Sequence, residues 1–132
     1  MASGELPPPP IANTLDFGVQ SVEKGRVVFT LTPAEYHYNP IGSVHGGVFA
    51  TLLDSAMACA IQSTLAAGVG YTTLELKVNF VKPLSRDTGE VLCEGRVIQV
   101  GRKVALAEGD IRDSSGKLYG TATTTCLILG RG

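Results

Sequence analysis

A single stretch of the sequence, residues 45–65, has helical periodicity and is apolar or small on nearly every side. Its larger apolar residues recur at spacings of three and four, and alanine, serine, threonine and cysteine fill the other positions. A helix of this kind is buried rather than laid on a surface. The rest of the chain must therefore fold around it. The recurring residues are Val48, Phe49, Leu52, Leu53, Ala56, Met57, Ala60 and Ile61.

Five other segments alternate or are rich in β-branched residues, and each predicts a strand. These segments are residues 25–32, 72–81, 90–100, 103–112 and 117–129. Short turns join the last three, which favours antiparallel pairs. Within residues 72–81, strict alternation predicts Thr73 and Glu75 on one face and Leu74 and Leu76 on the other. The prediction is an α+β fold in which a five- to six-stranded antiparallel sheet wraps one long central helix.

The length of 132 residues predicts one domain. Residues 1–10 are expected to form a proline-rich tail, because a polyproline II run does not join a helix or a central strand. Residues 11–132 then form the domain, which begins with a short helix or a loop at residues 11–18. His37 is expected to be a loop residue without a partner.

Composition excludes several classes of function. The net charge is −1 and lysine and arginine form no run, so a nucleic-acid partner or a membrane surface is not expected. The three cysteines are widely spaced, which disfavours a disulfide framework or a zinc site and predicts a reducing, cytoplasmic location. Charged residues make up 17% of the chain, below the ~25% usual for soluble domains. This low share is consistent with oligomerisation or with ordinary scatter in composition.

Asp54 is the only acidic residue between positions 36 and 74, a stretch that also has no lysine or arginine. It falls in the middle of the predicted buried helix, where an aspartate is costly without partners. One interpretation is a solvated position at the edge of the helix. The other is an acid, base or nucleophile in a partly desolvated site, because functional sites are where local sequence rules fail.

Two glycines, Gly46 and Gly47, open the predicted helix. They allow either a tight entry from the preceding loop or close approach of a ligand to the free amides of the first turn, which can hold an oxyanion. His45 just before them could bind substrate or cap the loop. Gly47 and Asp54 are seven residues apart, roughly 10 Å along a helix axis. Both can serve one carbonyl only if a second helix, most simply from a second copy of the chain, runs alongside.

Residues 39–54, NPIGSVHGGVFATLLD, and the later segment TTLELKVNFVKP resemble hotdog-fold acyl-CoA thioesterases of the phenylacetate-degradation (PaaI-like) type. The resemblance covers about residues 12–129, and its N-x5-H-G-G-x6-D spacing is fairly specific. It implies a long helix wrapped by an antiparallel sheet. It also implies a homodimer with sheets edge to edge and helices antiparallel, which often pairs again into a homotetramer.

The resemblance implies hydrolysis of an acyl-CoA thioester, with roles for five residues. Asp54 would be the catalytic carboxylate, acting as nucleophile or as base for water. The amide of Gly47, with that of Gly46, would polarise the thioester carbonyl from the partner subunit. Asn39 and His45 would orient the thioester or the attacking water. No metal or other cofactor is implied, since coenzyme A is part of the substrate.

The resemblance also implies residues that bind or position the substrate. Thr73 would help to place the water, and the turn formed by Gly101, Arg102 and Lys103 would meet the nucleotide end of coenzyme A. Nine of the 11 basic residues lie from position 77 onward, which suits phosphate binding. Phe80 is expected to line an acyl pocket, either aromatic or aliphatic.

The sequence leaves three alternatives open. A non-catalytic module that binds acyl-CoA would not need an aspartate in the buried helix. A hotdog hydratase or dehydratase would need a histidine placed to abstract a proton from the acyl chain, and no such motif is evident. Acyl carrier protein could replace coenzyme A as the carrier of the acyl group.

Overall fold

The computed structural model describes residues 9–130, so the predicted tail at residues 1–8 and residues 131–132 lie outside the described part. The helices are α1 (Pro10–Leu15) and α2 (Gly46–Gln62); the strands are β1 (Phe17–Glu23), β2 (Arg26–Leu31), β3 (Gly70–Phe80), β4 (Val91–Val100), β5 (Val104–Asp113) and β6 (Leu118–Leu129). The strands form one antiparallel sheet in the order β1-β2-β4-β5-β6-β3. The predicted α+β architecture is confirmed.

Helix α2 packs its apolar residues onto the inner face of the sheet, where Leu52, Leu53 and Met57 are fully buried. Glycine allows strand β4 to approach the helix closely. A Cβ atom on Gly95 would lie 2.4 Å from the carbonyl oxygen of Ala56, too close for any side chain. The opposite side of α2 carries small and polar residues and is only half-buried in a single chain. These residues are Ala50, Thr51, Asp54, Ser55 and Cys59.

The N-terminal part differs from the sequence prediction in two ways. Pro10 begins α1 instead of ending a tail, because the first position of a helix needs no N–H and suits the fixed φ of proline. Strand β1 was not predicted. It is joined to β2 by the two residues between Glu23 and Arg26, and a bulge between Val19 and Ser21 breaks its alternation.

Strand β3 contains a second bulge, and the strict alternation predicted for it is wrong at that point. Thr73 pairs with Cys126 of β6, whereas Glu75 pairs with Thr125, so Leu74 is the extra residue. The bulge turns Thr73 toward α2 on the inner face and leaves Glu75 on the outer face.

His37 is buried and bonded, contrary to the expectation of an unpartnered loop residue. It is 1% exposed, its Nδ1 accepts from the backbone N–H of Ala34 at 3.0 Å, and its Nε2 donates to the carbonyl of Leu15 at 2.6 Å. The imidazole therefore ties the end of α1 to the loop that leads into α2.

Candidate active site

Asp54 lies in the middle of α2, on its half-buried side. The hydroxyl of Thr73 donates a hydrogen bond to Oδ1 of Asp54 at 3.0 Å and lies 3.8 Å from the Cys126 sulfur. Oδ2 of Asp54 accepts no hydrogen bond from residues 9–130. The bulge in β3 thus fixes one carboxylate oxygen and leaves the other for water or substrate.

Three weakly acidic side chains surround this carboxylate, and sequence reasoning did not place them there. Burial, with a smaller effect of the Asp54 charge, raises the pKa of Cys59 to about 11. Burial also raises the pKa of Tyr71 to about 12, with contributions from Cys59, Asp54 and Cys126. The pKa of Cys126 is raised by burial as well. All three therefore stay protonated at neutral pH, and Tyr71 faces inward because it lies two residues before Thr73 on the same strand.

The two glycines in the first turn of α2 differ in whether their backbone N–H groups are hydrogen-bonded. Nδ1 of His45 accepts the Gly47 N–H at 2.8 Å, so His45 caps the helix and occupies the amide that the sequence analysis favoured. Gly46 begins the helix, and its N–H donates to no acceptor within the described residues. Gly46 therefore presents the open amide. With Nδ1 accepting, the neutral His45 ring carries its proton on Nε2.

Asn39 shapes the loop before α2. Its Oδ1 accepts from the backbone N–H groups of Ile41 at 3.0 Å and Ser43 at 3.2 Å, while Nδ2 donates to the Ser43 hydroxyl at 3.2 Å. The side chain thereby closes an Asx turn. Asn39 holds the loop beside Gly46 and also borders the adjacent cavity.

A cavity of about 350 Å³ adjoins the open amide of Gly46. Phe80 packs edge-on against Phe49 at 5.3 Å between ring centroids, and a Cβ on Gly46 would lie 3.2 Å from the Phe80 ring. Lys82 was not predicted for the site but lines the cavity, and the neighbouring Lys117 lowers the pKa of its ammonium group. The full lining is Asn39, Ser43, Gly46, Phe49, Phe80, Val81, Lys82 and Pro83.

The predicted nucleotide-binding turn joins β4 to β5. It is closed by the Gly101 N–H, which donates to the carbonyl of Val104 at 2.8 Å, and Arg102 and Lys103 are exposed. Within the described residues neither cation forms an ion pair. Ala105 pairs with Cys126, the partner of Thr73 in β3, so the turn lies at the Asp54 end of the sheet.

One chain therefore holds the predicted site residues in two separate groups. Asp54 and Thr73 form the first, and Gly46 and Phe80 belong to the second. Gly46 and Asp54 are eight residues apart on α2, roughly 12 Å along the axis. Thr73 and Phe80 are roughly 20 Å apart along β3. Asn39, His45 and Gly47 lie with the second group, and the turn at residues 101–103 lies toward the first.

Comparisons with known proteins agree with this architecture. The family model of the thioesterase superfamily matches residues 41–119. A phenylacetic acid degradation-related protein from Ralstonia eutropha JMP134 is 31% identical, with a TM-score of 0.84 over 95% of this chain and 94% of its own. A Streptococcus mutans UA159 protein solved bound to acetyl CoA is 28% identical, with a TM-score of 0.79 over 87% of this chain and 90% of its own. The 1,4-dihydroxy-2-naphthoyl-CoA hydrolase of Listeria monocytogenes is 28% identical over 89% of this chain and 94% of the relative.

Proposed function

The chain belongs to the thioesterase superfamily and is a thioester hydrolase with the hotdog fold, and from this premise we propose that it cleaves acyl-CoA to a free carboxylic acid and coenzyme A. The observation that carries the proposal is the hydrogen bond from Thr73 to Asp54, which orients the only charged side chain of helix α2. The Streptococcus mutans protein solved with acetyl CoA and the Listeria CoA-thioester hydrolase support this substrate class.

In the proposed reaction, Asp54 either attacks the thioester carbonyl carbon or removes a proton from the water that does. The carbon–sulfur bond then breaks, coenzyme A leaves as the thiol, and the acid is released; an acyl-Asp54 intermediate would be hydrolysed by water. The Gly46 amide of the partner subunit stabilises the developing oxyanion, and the Gly47 amide joins it if His45 turns away. No metal or further cofactor enters this scheme.

The proposed assembly is a homodimer, because one chain separates the two groups of residues. Two features support it. Strand β3 is an edge strand of eleven residues, which offers unpaired backbone groups to a second copy. The side of α2 that carries Thr51, Asp54 and Ser55 is small and half-buried, so a second α2 can lie close and antiparallel. Such a pair sets Gly46 of the partner subunit near Asp54, and we propose that two dimers form a tetramer.

We propose further that Arg102 and Lys103, which form no ion pair with residues 9–130, hold the phosphates of coenzyme A. The cavity beside Phe80 would receive part of the substrate. We place the protein in the cytoplasm, where its cysteines remain free thiols; Cys93 and Cys126 are buried. Among residues 9–130, no helix has both the length and the apolar character needed to cross a membrane.

The test of the proposed function is Asp54→Asn, assayed by thiol release from phenylacetyl-, hydroxybenzoyl- and medium-chain acyl-CoA. We expect kcat to fall at least about 100-fold while acyl-CoA binding, measured by calorimetry, is retained. Ser55→Ala, on the same side of α2, is the matched control. Equal turnover by Asp54→Asn and wild type would remove the role of Asp54, and binding without turnover by the wild type would identify a non-catalytic module.

A further inference from the structure

Thr124 is a buried polar side chain in the middle of strand β6, on the face of the sheet that packs against α2. Its side chain is 2% exposed. The neighbouring inward residues of the strand, Ala122 and Cys126, are buried as well, so a valine at position 124 would suit this row equally well. A buried hydroxyl is costly without a partner, and local sequence rules fail most often at functional sites.

The partner of the Thr124 hydroxyl is the bulge in strand β3. The hydroxyl donates a hydrogen bond to the backbone carbonyl of Glu75 at 2.8 Å. Glu75 directly follows the extra residue Leu74, where the pairing of β3 with β6 is disrupted. The hydrogen bond therefore holds β3 to β6 at the point where regular strand pairing is interrupted.

The register of β3 decides whether Thr73 can reach Asp54. A shift by one residue moves the side chains of a strand to the opposite face of the sheet. In one chain β3 is an edge strand that pairs with β6 alone, so β6 is the strand that holds its register. Without the bulge, Thr73 would share the outer face with Glu75 and would turn away from Asp54.

Cys126 connects Thr124 to Thr73 by a second route. Its sulfur lies 3.8 Å from the Thr73 hydroxyl oxygen. Burial raises the pKa of Cys126 and outweighs its hydrogen bonds with Thr73 and Thr124, which lower it, so the thiol keeps its proton. Because Thr73 donates its single hydroxyl proton to Asp54, the Cys126 S–H is the donor to Thr73. The thiol thereby favours the orientation in which Thr73 faces the carboxylate.

We propose that Thr124 is a positioning residue for the proposed hydrolysis, which keeps the Thr73 hydroxyl directed at Asp54 through the bulge in β3 and the Cys126 thiol. The inference rests on the proposed role of Asp54. The Thr124 hydroxyl makes no hydrogen bond to Asp54 itself, so its effect on the rate passes through Thr73. Its removal should therefore lower kcat, leave KM unchanged, and have no effect once Thr73 has lost its own hydroxyl.

A double-mutant cycle of Thr124→Val and Thr73→Val, followed by steady-state thiol release, tests the inference. Thr124→Val replaces the hydroxyl with a methyl group of similar size, and we expect kcat to fall about 3- to 10-fold with KM unchanged. Thr124→Ser keeps the hydroxyl and should recover most of the rate. The double variant should be no slower than Thr73→Val alone, because both changes act on the same hydrogen bond.

Thr123→Val, at the adjacent exposed position of β6, is the matched control and should keep the wild-type rate. Thr124→Ala removes the same hydroxyl with a smaller side chain, and it takes the place of Thr124→Val in the cycle if circular dichroism shows that the valine prevents folding. A wild-type kcat for the folded variant would overturn the inference. So would a double variant in which the two losses multiply in full, because Thr124 would then act independently of Thr73.

Asp54→Asn separates a failure of this inference from a failure of the proposed function. If Asp54→Asn is inactive while Thr124→Val has the wild-type rate, Asp54 acts without help from Thr124 and only the positioning role is overturned. If Asp54→Asn itself has the wild-type rate, the proposed role of Asp54 is overturned, and the positioning role that rests on it is overturned as well.

Discussion

At the scale of single residues, Thr73 is the side chain through which the sheet positions the Asp54 carboxylate. Its hydroxyl reaches Oδ1 of Asp54 because one extra residue, Leu74, turns Thr73 onto the inner face of the sheet. A carboxylate held by one donor loses rotational freedom and keeps a single oxygen free to react. Among the described residues no cation forms an ion pair with Asp54, and its neighbours Tyr71 and Cys59 are neutral because their raised pKa values keep them protonated.

We predict that Thr73→Val lowers kcat about 10- to 100-fold with little change in KM, because a hydrogen bond to a charged group is lost while substrate contacts remain. Thr73→Ser keeps the hydroxyl and should recover most of the rate. Steady-state thiol release gives both constants. Thr30→Val, on a distant strand, is the control, and a loss confined to KM would contradict the positioning role.

Some of these residues could be predicted from the sequence and others could not. Asp54 stands out because an aspartate contradicts its apolar surroundings, and Gly46 and Gly47 because glycine weakens a helix start. Which of the two glycine amides is open depends on the His45 side chain, which caps the Gly47 N–H. The spacing of residues in the sequence does not reveal the orientation of that side chain. Tyr71 was missed because the predicted strand began at residue 72, whereas β3 begins at Gly70 and carries Tyr71 on its inner face beside Thr73.

At the scale of elements, periodicity predicted those parts of the fold in which the backbone repeats regularly. Helix α2 and strands β2 to β6 were predicted within a few residues of their observed bounds. Strand β1 was missed because its bulge after Val19 interrupts the alternation, and the inner face of β3 was misassigned at Thr73 for the same reason. A bulge depends on the partner strand, so a single strand's sequence does not reveal it.

The turn between β5 and β6 gives a pH-dependent prediction. The Ser115 hydroxyl, the backbone N–H groups of Ser115 and Lys117, and the Tyr119 hydroxyl hold the Asp113 carboxylate. These donors, foremost the Ser115 hydroxyl, lower the pKa of Asp113 from 3.8 to about 2. A lowered native pKa stabilises the fold above pH ~4, and this contribution is lost as the pH falls toward 2.

Asp113→Asn should therefore melt below the wild type at pH 7, and the difference should shrink as the pH falls through about 2, where the carboxyl becomes protonated and resembles the amide. Thermal denaturation followed by circular dichroism measures both. Asp87→Asn, an exposed acid elsewhere, controls for net charge. A difference that stays constant across the pH range would show that the turn does not depend on the charge.

At the scale of the whole molecule, the division of the site between two copies has a consequence for mixed dimers. Asp54→Asn removes the carboxylate, and Gly46→Pro removes the open N–H. Proline suits the first position of α2, and the preceding His45 has φ −59° and ψ 137°, which a following proline tolerates. A Cβ at Gly46 meets only the ring of the exposed Phe80. Each variant should therefore fold and be inactive on its own.

In a dimer of one Asp54→Asn chain and one Gly46→Pro chain, one site carries both lesions and the other carries neither. Random pairing of equal amounts makes half of the dimers mixed, so about one quarter of the wild-type activity should return. Co-expression with two different affinity tags isolates the mixed dimer, in which about half of the sites should be active. If Asp54 and Gly46 of the same chain formed the site, every site would carry one lesion and no activity would return.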